Sequence, residues 1–439
     1  MSFEWPKITF EQAPFVIIDG DRGVDYPKQH DFLAKGYCLF LNTGNVTTSG
    51  FNFSNCAFIT KEKDKALRKG KLMREDIVLT TRGTVGNVGF YSTNILFENI
   101  RINSGMVVIR PDPTKLVPYF MYLFLRSDLF IEQTKFLRSG SAQPQLPIRD
   151  MKRVLMHIPP INEQINIVNI LSSLDNRISL LRETNTTLEA IAQTLFKSWF
   201  VDFDPVKAKA EGRLPEGMDD VTAALFPSEF EKSALGLIPK GWRVGTLGDI
   251  AQTVKKQLQT SELNTDLLYV GLEHIPRQSL SLTNWDNAEG LGSAKSVFSK
   301  GDILFGKLRP YFHKVVIAPF DGVCSTDILI CQPKHKAYYG LVAMYLYSSA
   351  LVDYAARLSN GAKMPRINWK DLSDYPICIP PESLATEYSQ VVIPLFERMV
   401  DGIHQSQTLT TLRDTLLPRL ISGQLRLNQA QEIIDEEVA

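Results

Sequence analysis

Four short segments of this 439-residue sequence combine arginine or lysine with glycine and with hydroxyl or amide side chains. Arginine can bind guanine through two hydrogen bonds, asparagine can bind adenine, and lysine and threonine can anchor phosphates. Glycine lets backbone amides approach a phosphate closely. We interpret the segments as candidate DNA contacts; the alternative for each residue is a solvated hairpin tip or a simple turn. The candidates are Thr81, Arg82, Gly83, Thr84, Asn87, Arg138, Ser139, Gly140, Ser141, Gln143, Lys307, Arg309, Tyr311, His313, Lys314, Asn360, Gly361 and Lys363.

Motifs for catalysis are weak by comparison. Residues 301–307 are spaced like a phosphate-binding loop, but Leu308 stands where the magnesium-binding Ser or Thr is required. Pro111-Asp112 with Asp150-Met-Lys152 has the composition of a nuclease carboxylate set, which arises by chance in chains of this size. No two of the six histidines lie at metal-ligand spacing, and none accompanies a Ser or Cys nucleophile signature. We therefore predict no catalytic residue, metal or cofactor in this chain.

The composition is that of an ordinary globular protein, with 44% hydrophobic and 22% charged residues. A single hydrophobic core stops growing at about 250–300 residues, so at least two domains are expected. The five cysteines include no C-x-x-C pair, which favours a reduced compartment. No segment has the features of a signal peptide or a membrane span, and a cytoplasmic protein is predicted.

The zero net charge conceals an alternation along the chain. Residues 1–160 carry 21 basic and 15 acidic side chains, and residues 241–381 carry 15 and 12. Residues 161–240 carry 8 basic and 12 acidic side chains, and residues 382–439 carry 4 and 9. Two basic blocks therefore alternate with two acidic blocks, which permits a nucleic-acid partner that touches only the basic ones.

The sequence contains one long internal repeat. A shift of 221 residues superposes residues 140–160 on residues 361–381 without a gap, and Gly140, Pro144 and Asp150 fall on identical residues. Each copy opens with short alternating stretches such as 76–80 and 302–305, which predict strands of a twisted, mostly antiparallel sheet. One helical segment follows in each copy, at 116–129 and at 339–357. The predicted fold class is α+β.

Each copy ends in an apolar heptad pattern that predicts a long helix. In the first copy, apolar or small residues recur three and four apart from Ile167 to Trp199, except at Asn185. The second copy repeats the pattern from Val392 to Leu420, with Pro394 expected to kink its first turns. We call the apolar stripe of each helix its seam. Antiparallel pairing of the two helices would bury both seams and relate the copies by an internal twofold axis. A seam of about 33 residues spans about 50 Å.

The pattern of two unequal basic domains, each followed by a heptad helix, resembles the specificity subunit of type I restriction-modification systems. The most specific match is the run Leu-Pro-Arg-Leu-Ile-Ser-Gly-Gln-Leu-Arg at 417–426. Residues 196–205, residues 238–242 and residues 158–164 also resemble family segments. The first domain departs from the family in opening with Trp5-Pro6 alone, and the second lacks the Gln that follows Ile158-Pro-Pro in the first.

The resemblance implies a chain that reads double-stranded DNA and carries no active site. It implies two modification subunits, which bring S-adenosylmethionine and methylate adenine, and restriction subunits that use ATP. The target is expected to be bipartite, and it is expected to be asymmetric because the two recognition segments differ in almost every residue. The alternatives are an assembly scaffold whose basic domains bind protein, and a nucleotide hydrolase or nuclease using residues 301–307 or the scattered acids.

Six segments are expected. They are a target-recognition domain at 1–160, a long helix at 161–200, a connector at 201–240 anchored by Phe203, Phe226 and Phe230, a second target-recognition domain at 241–381, a second long helix at 382–423 capped by Gly423, and a tail at 424–439 that is expected to fray beyond Leu427.

Overall fold

The computed structural model describes residues 5–140, 143–361 and 363–438. The elements of the first copy are β1 (Lys7–Thr9), β2 (Phe15–Asp19), β3 (Cys38–Leu41), β4 (Val46–Thr47), β5 (Gly50–Phe51), β6 (Phe58–Ile59), α1 (Lys61–Ala66), β7 (Ile77–Thr80), β8 (Val88–Phe90), β9 (Ile100–Ile102), β10 (Met106–Pro111), α2 (Pro118–Arg126), α3 (Asp128–Lys135), α4 (Ile148–Met151), β11 (Leu155–His157) and α5 (Ile161–Phe196).

The second copy follows a π-helical turn at Lys197–Val201. Its elements are α6 (Asp204–Ala210), α7 (Asp220–Ala224), β12 (Phe230–Ser233), β13 (Gly236–Pro239), β14 (Arg243–Thr246), α8 (Leu247–Ile250), β15 (Ala251–Thr253), β16 (Gln257–Leu258), β17 (Leu268–Val270), β18 (Asp286–Asn287), β19 (Lys295–Phe298), β20 (Ile303–Gly306), β21 (Val315–Ile317), β22 (Gly322–Cys324), β23 (Ile328–Pro333), α9 (Tyr339–Tyr347), α10 (Ser349–Leu358), α11 (Trp369–Ser373), β24 (Pro376–Ile379), α12 (Glu382–Ile421) and α13 (Leu427–Val438).

The chain divides into two compact units. The first contains the chain up to Asn176 and again from Leu409, and the second contains Arg177–Thr408. The long helices α5 and α12 therefore contribute one segment to each unit. Among the described residues, no helix is both long enough and apolar enough to cross a membrane.

The first unit is built on two small sheets. The antiparallel sheet has the strand order β2-β10-β7-β8, and Val108 of β10 lies opposite both Ile18 and Val78. The other sheet, β6-β3-β9, contains one parallel pair, in which Leu39 lies opposite Ile100. Val78, Val108, Leu39 and Ile100 belong to one buried cluster, so the two sheets share a core.

The second unit repeats this plan. Its antiparallel sheet has the order β15-β23-β20-β21, and its other sheet, β16-β19-β22-β17-β18, again contains one parallel pair, β17 with β22. Leu304, Val316 and Ile330 of the first sheet share a buried cluster with Val270 and Cys324 of the second. The sequence repeat is thus a repeat of topology, and the predicted α+β class with mostly antiparallel sheets is confirmed.

The single helix predicted at 116–129 and at 339–357 is wrong in both copies, because each is two helices. The break falls at Ser127 between α2 and α3, and at Ser348 between α9 and α10, and both residues have extended backbone. Ser127 Oγ donates to the Phe124 carbonyl at 2.6 Å, and Ser348 Oγ donates to the Tyr345 carbonyl at 2.7 Å. Serine hydrogen-bonds to nearby backbone groups in this way, which competes with helix continuation.

A two-stranded pair joins the beginning and the end of each recognition domain. In the first unit β1 pairs with β11, so that Ile8 lies opposite Met156. In the second unit β14 pairs with β24, so that Val244 lies opposite Cys378. The Ile-Pro-Pro runs follow these closing strands and lead directly into α5 and α12.

The long helices run antiparallel within the second unit. Asn185 Nδ2 of α5 donates to the Met399 carbonyl of α12 at 3.0 Å, and Tyr388 Oη donates to the Ala192 carbonyl at 3.2 Å. The contact that lies later in α5 therefore lies earlier in α12, as in an antiparallel pair. Asn185, the exception in the heptad pattern, is buried against Gly402, where an added Cβ would lie 2.6 Å from its Oδ1.

Within the first unit, α5 and α12 are joined by an ion pair at the edge of their apolar contact. Asp175 of α5 accepts from Arg413 Nη1 of α12 at 2.8 Å. The seam residues are buried as predicted, including Ile167, Leu171 and Leu174 in this unit and Ile178, Leu181, Ala192, Val392, Met399 and Ile403 in the other. Leu409, Leu412, Leu416 and Leu420 complete the seam of the first unit. The predicted antiparallel helix pair is confirmed by the contacts of the second unit, and in the first unit the ion pair holds the same two helices together.

The segments after the long helices are more ordered than expected. Phe226 of the connector is 2% exposed, and Phe203 and Phe230 pack against the same cluster, as predicted. The expectation of a frayed tail is wrong, because residues 427–438 form α13, which buries Ala430 completely. Gly423 has a φ of +76°, as a helix-terminating glycine requires.

The Asp175–Arg413 pair gives a test of the helix pairing in the first unit. Both side chains are at most 16% exposed, so Asp175→Ala leaves a largely buried guanidinium with the exposed Asp414 as its remaining carboxylate partner. We expect a loss of about 2–4 kcal/mol in the free energy of unfolding, measured by chemical denaturation.

Asp414→Ala is the matched control, because Asp414 pairs with the same guanidinium at 2.7 Å but is 57% exposed. Its removal is expected to cost less than about 1 kcal/mol. Equal losses for the two variants would contradict a role for Asp175 in holding α5 to α12.

Candidate functional site

The two candidate loops of the first unit lie side by side. One follows β7 at residues 81–87, and the other precedes α4 at residues 138–145. Leu146 N donates to the Thr81 carbonyl at 2.9 Å, and Gly83 N donates to the Pro144 carbonyl at 3.3 Å. Two further bonds between Ser139 and Gln145, both of 2.9 Å, close the second loop on itself. We call residues 81–87 and 138–145 loop pair 1.

The second unit holds its candidate loops by the same backbone bonds. Ile367 N donates to the Lys307 carbonyl at 3.1 Å, and Arg309 N donates to the Pro365 carbonyl at 2.7 Å. Asn360 and Arg366 exchange two bonds of 3.0 and 2.9 Å, as Ser139 and Gln145 do in the first unit. We call residues 307–314 and 359–366 loop pair 2. The sequence predicts that the loops are duplicated and that they occupy comparable places in the two copies. The backbone hydrogen bonds of the two units confirm both predictions.

The outward face of loop pair 1 carries Arg82, Gly83 and Thr84, which are all exposed. Ser139, Gly140 and Gln143 are exposed on the neighbouring loop, and Ser141 lies outside the described residues. Arg138 is half-buried, and a Cβ at Gly86 would lie 3.4 Å from its Nη2. That separation is an ordinary van der Waals contact, so it is the φ of +105° that favours glycine at position 86.

Two candidates of loop pair 1 hold the loop itself. Thr81 is buried, and its hydroxyl donates to the Gly105 carbonyl at 3.1 Å. Asn87 donates from its side-chain amide to the Val46 carbonyl at 2.8 Å. The amide that was predicted to read adenine thus fastens the base of the loop to β4.

Loop pair 2 separates its candidates into outward and inward side chains. Tyr311, Asn360, Gly361 and Lys363 are exposed, and Lys307 and Arg309 are half-buried. His313 is buried, and its Nε2 lies 2.8 Å from the Tyr347 carbonyl. The ammonium of Lys314 donates to the Leu272 carbonyl, and burial, together with the charge of Arg277, lowers the pKa of Lys314. His313 and Lys314 therefore position the loop.

One arginine in each loop pair has an incompletely satisfied guanidinium. Among the described residues, the buried Nε atoms of Arg138 and Arg309 have no hydrogen-bond partner. Arg309 still donates from Nη2 to the Lys363 carbonyl at 3.2 Å. An unpaired buried donor is costly, so both guanidinium groups gain from new acceptors, such as phosphate or base oxygens.

The sequence analysis missed two arginines that the fold places at loop pair 2. Arg366 lies at the position of Gln145 in the 221-residue repeat, and its guanidinium pairs with Asp327 at 2.9 and 3.2 Å. Arg277, from the segment between β17 and β18, stacks on the Phe312 ring at 3.9 Å from its centroid. The repeat contained the signal for Arg366, but no sequence pattern connects Arg277 with residues 309–314.

The residues considered for phosphate binding form a β-strand. Ile303–Gly306 is β20, whose Ile303 lies opposite Cys331 and Ile317 in the sheet. A phosphate-binding loop needs backbone amides that are free to point at the ligand, and these are engaged in the sheet. Across residues 5–140, 143–361 and 363–438, no group of three or more His, Cys, Asp or Glu side chains is placed to hold a metal ion.

Comparison with known families identifies the chain's family. Residues 20–190 and 239–393 match the model of the type I restriction modification DNA specificity domain, one match for each copy of the repeat. The chain belongs to the type I restriction-modification specificity family. The family assignment made from the sequence motifs is confirmed.

Relatives of this specificity chain match it over nearly its whole length. It is 25% identical to the type I restriction enzyme HindI specificity subunit of Haemophilus influenzae, over 92% of this chain and 98% of that protein. It is 28% identical to the MjaIX specificity subunit of Methanocaldococcus jannaschii, over 80% and 78% of the two chains. The crystal structure of the type I S subunit from M. genitalium shares the fold, with a TM-score of 0.57 at 16% identity and coverage of 95% and 96%.

The Arg366–Asp327 pair gives a pH-dependent test of the geometry of loop pair 2. The hydrogen bond from Arg366 holds the pKa of Asp327 below its ordinary value. The pair therefore stabilises the folded loop at all pH values above the unfolded pKa of about 3.9, and the contribution is lost as pH falls through the lower folded pKa.

We expect Arg366→Ala to raise the pKa of Asp327, measured by carboxyl carbon NMR titration of the labelled chain. Arg357→Ala is the control, since this exposed arginine lies on α10 and is not bonded to Asp327. An unchanged titration of Asp327 in the Arg366 variant would rule out the ion pair.

Proposed function

We propose that this chain is the non-catalytic DNA-recognition subunit of a type I restriction-modification complex. Each loop pair reads one half-site of a bipartite target, and an unread spacer joins the two half-sites. The observation that carries the proposal is the pair of loops that recurs in both units on the same backbone bonds with different outward side chains. Loop pair 1 presents Arg82 and Thr84, and loop pair 2 presents Arg309 and Tyr311.

The target is asymmetric, because the two outward surfaces differ in chemistry. The exposed candidates of loop pair 1 carry hydroxyls, the Gln143 amide and one guanidinium, whereas those of loop pair 2 include the Tyr311 ring and the Lys363 ammonium. Hydrogen-bonding side chains select bases through the donor and acceptor pattern of the major groove. Two surfaces with different donors and acceptors therefore select different base sequences.

The complex contains two modification subunits that carry S-adenosylmethionine, and restriction subunits that use ATP. In this proposal no cofactor binds to the specificity chain itself, and the complex acts in the cytoplasm. The acidic residues at 202–216 are one candidate surface for a partner, but Asp204 and Glu211 already pair with Lys207 and Arg213 at exposed positions. The apolar side chains Leu180, Ile191 and Val391 remain exposed on the long helices in the second unit, and they suit a protein partner better.

Exchange of one recognition domain tests whether each domain reads its own half-site independently. Replacement of residues 1–140 by the corresponding domain of another family member is expected to change one half-site and to leave the other unchanged. The measurement is methylome sequencing of a host that expresses the chain with its modification subunits. A change in both half-sites would refute independent reading, and the absence of any methylated bipartite motif would refute the proposed function.

Single arginine substitutions test the two loop pairs, and each variant serves as the control for the other. Arg82→Ala is expected to weaken binding to the first half-site only, and Arg309→Ala to the second only, in the assembled modification complex. An arginine that contacts a base contributes about 1–3 kcal/mol of discrimination at that base pair. An arginine that contacts phosphate lowers the affinity for all sequences and reduces the salt dependence by about one ion.

Binding isotherms on duplexes with one randomised half-site separate these outcomes. If both variants bind both half-sites as the unsubstituted chain does, the two arginines are not contacts.

A further inference from the structure

The turn at residues 309–313 in loop pair 2 has an uncommon backbone. Arg309 and His313 both adopt left-handed conformations, with φ of +51° and +50°, on either side of Pro310, Tyr311 and Phe312. Non-glycine residues rarely adopt this conformation, which costs about 1–3 kcal/mol at each position. Such strain persists only where the surroundings fix the chain, and it is most frequent at functional sites.

Neighbouring segments fix the turn from both ends. At its start, Arg309 N donates to the Pro365 carbonyl at 2.7 Å. At its end, the His313 carbonyl accepts from Gln278 N at 2.9 Å, and the buried His313 ring lies against Tyr347 with ring centroids 4.9 Å apart. Proline at position 310 restricts the backbone further. The turn is therefore held rigid before any ligand arrives.

This rigid turn presents one side chain to solvent. Tyr311 is 54% exposed, and the edge-to-face contact of its ring with Phe312 supports it from one side at 4.8 Å between centroids. The guanidinium groups of Arg277 and Arg309 lie over the ring of Phe312, at 3.9 Å and 6.0 Å from its centroid. The exposed ring thus stands beside two cations, which suits contact with a polyanion.

Loop pair 1 lacks an aromatic residue at the matching place. Its turn contains Thr84 and Val85, and its positive φ angles fall on Gly83 and Gly86, where they cost little. The first turn therefore satisfies the same backbone connection without strain and without an aromatic ring. The connection between β20 and β21 is one residue longer than that between β7 and β8, and its strained turn is the part that presents Tyr311.

We propose that Tyr311 stacks on a base of the half-site read by loop pair 2, at a base step that opens when the complex binds. The half-site read by loop pair 1 stays stacked. This inference deepens the proposed function and rests on it. Rigid aromatic rings are effective stacking partners because little side-chain freedom is lost on binding. Opening a base step costs the free energy of unstacking. Proteins that do this recover it because the deformed duplex contacts more of the protein surface.

The test uses the assembled complex of specificity and modification subunits without S-adenosylmethionine. Duplexes carry 2-aminopurine at successive positions of each half-site, excluding the adenines that are methylated, because the modification subunits act there. We expect binding to increase the fluorescence at one step of the second half-site and nowhere in the first. Tyr311→Ala is expected to abolish this increase and to weaken binding about 5- to 150-fold.

Tyr311→Phe is the matched variant, because it keeps the ring and removes only the hydroxyl. It is expected to retain the fluorescence increase and an affinity within about threefold of the unsubstituted complex. Tyr311→Leu keeps an apolar side chain without a π face and is expected to behave like Tyr311→Ala. Thermal unfolding of all three variants should match the unsubstituted chain, because the side chain is exposed.

The outcomes distinguish this inference from the proposed function. Sequence-specific binding to a bipartite duplex with no fluorescence increase, or with an increase that survives in Tyr311→Ala, overturns the stacking role and leaves the proposed function intact. The absence of sequence-specific binding by the unsubstituted complex overturns both. Loss of the signal in Tyr311→Phe as well would assign the effect to the hydroxyl and overturn stacking.

Discussion

The burial of two apolar helix seams is the constraint on which the rest of this structure depends. Neither α5 nor α12 can leave its apolar face in water; in the second unit the contacts show the two helices packed antiparallel, and in the first unit an ion pair joins them. Apolar seams alone permit sliding by one heptad, because one leucine is much like the next. The buried Asn185, which lies against Gly402 in the second unit, and the Asp175–Arg413 pair in the first unit each favour one alignment of the helices within their own unit.

Much of the fold could be predicted from the sequence because it repeats. The shift of 221 residues identified the duplicated domain, and alternation located the central strands β7 and β20 to within a residue. The heptad pattern predicted the helix pair. The breaks at Ser127 and Ser348 were missed. A serine can lie within a helix, or its hydroxyl can bond to the preceding turn and end the helix, and apolar periodicity does not distinguish these two cases. The ordered tail was missed because Ala430 is buried by tertiary contacts.

The candidate site was predicted in its segments and only partly in its side chains. Composition indicated all four loops, and the fold places them together in pairs. Side-chain direction was not predictable, because it depends on the left-handed backbone at Arg309 and His313, which turns His313 inward and leaves Tyr311 outside. Asn87 was a candidate DNA contact, and its side-chain amide donates to the Val46 carbonyl, because β4 passes beside the loop, which the sequence does not show. Arg277 comes from a distant segment, so only the three-dimensional structure places it there.

The backbone hydrogen bonds that hold the loop pairs together affect how such a chain can evolve. The bonds that join the two loops of each pair run from main-chain amides to main-chain carbonyls, and the two units keep them despite having different residues. Substitution of an outward residue such as Arg82 therefore costs little folding energy, while it alters the pattern of donors and acceptors offered outward. A lineage can explore new recognition sequences one residue at a time, without passing through intermediates that fail to fold.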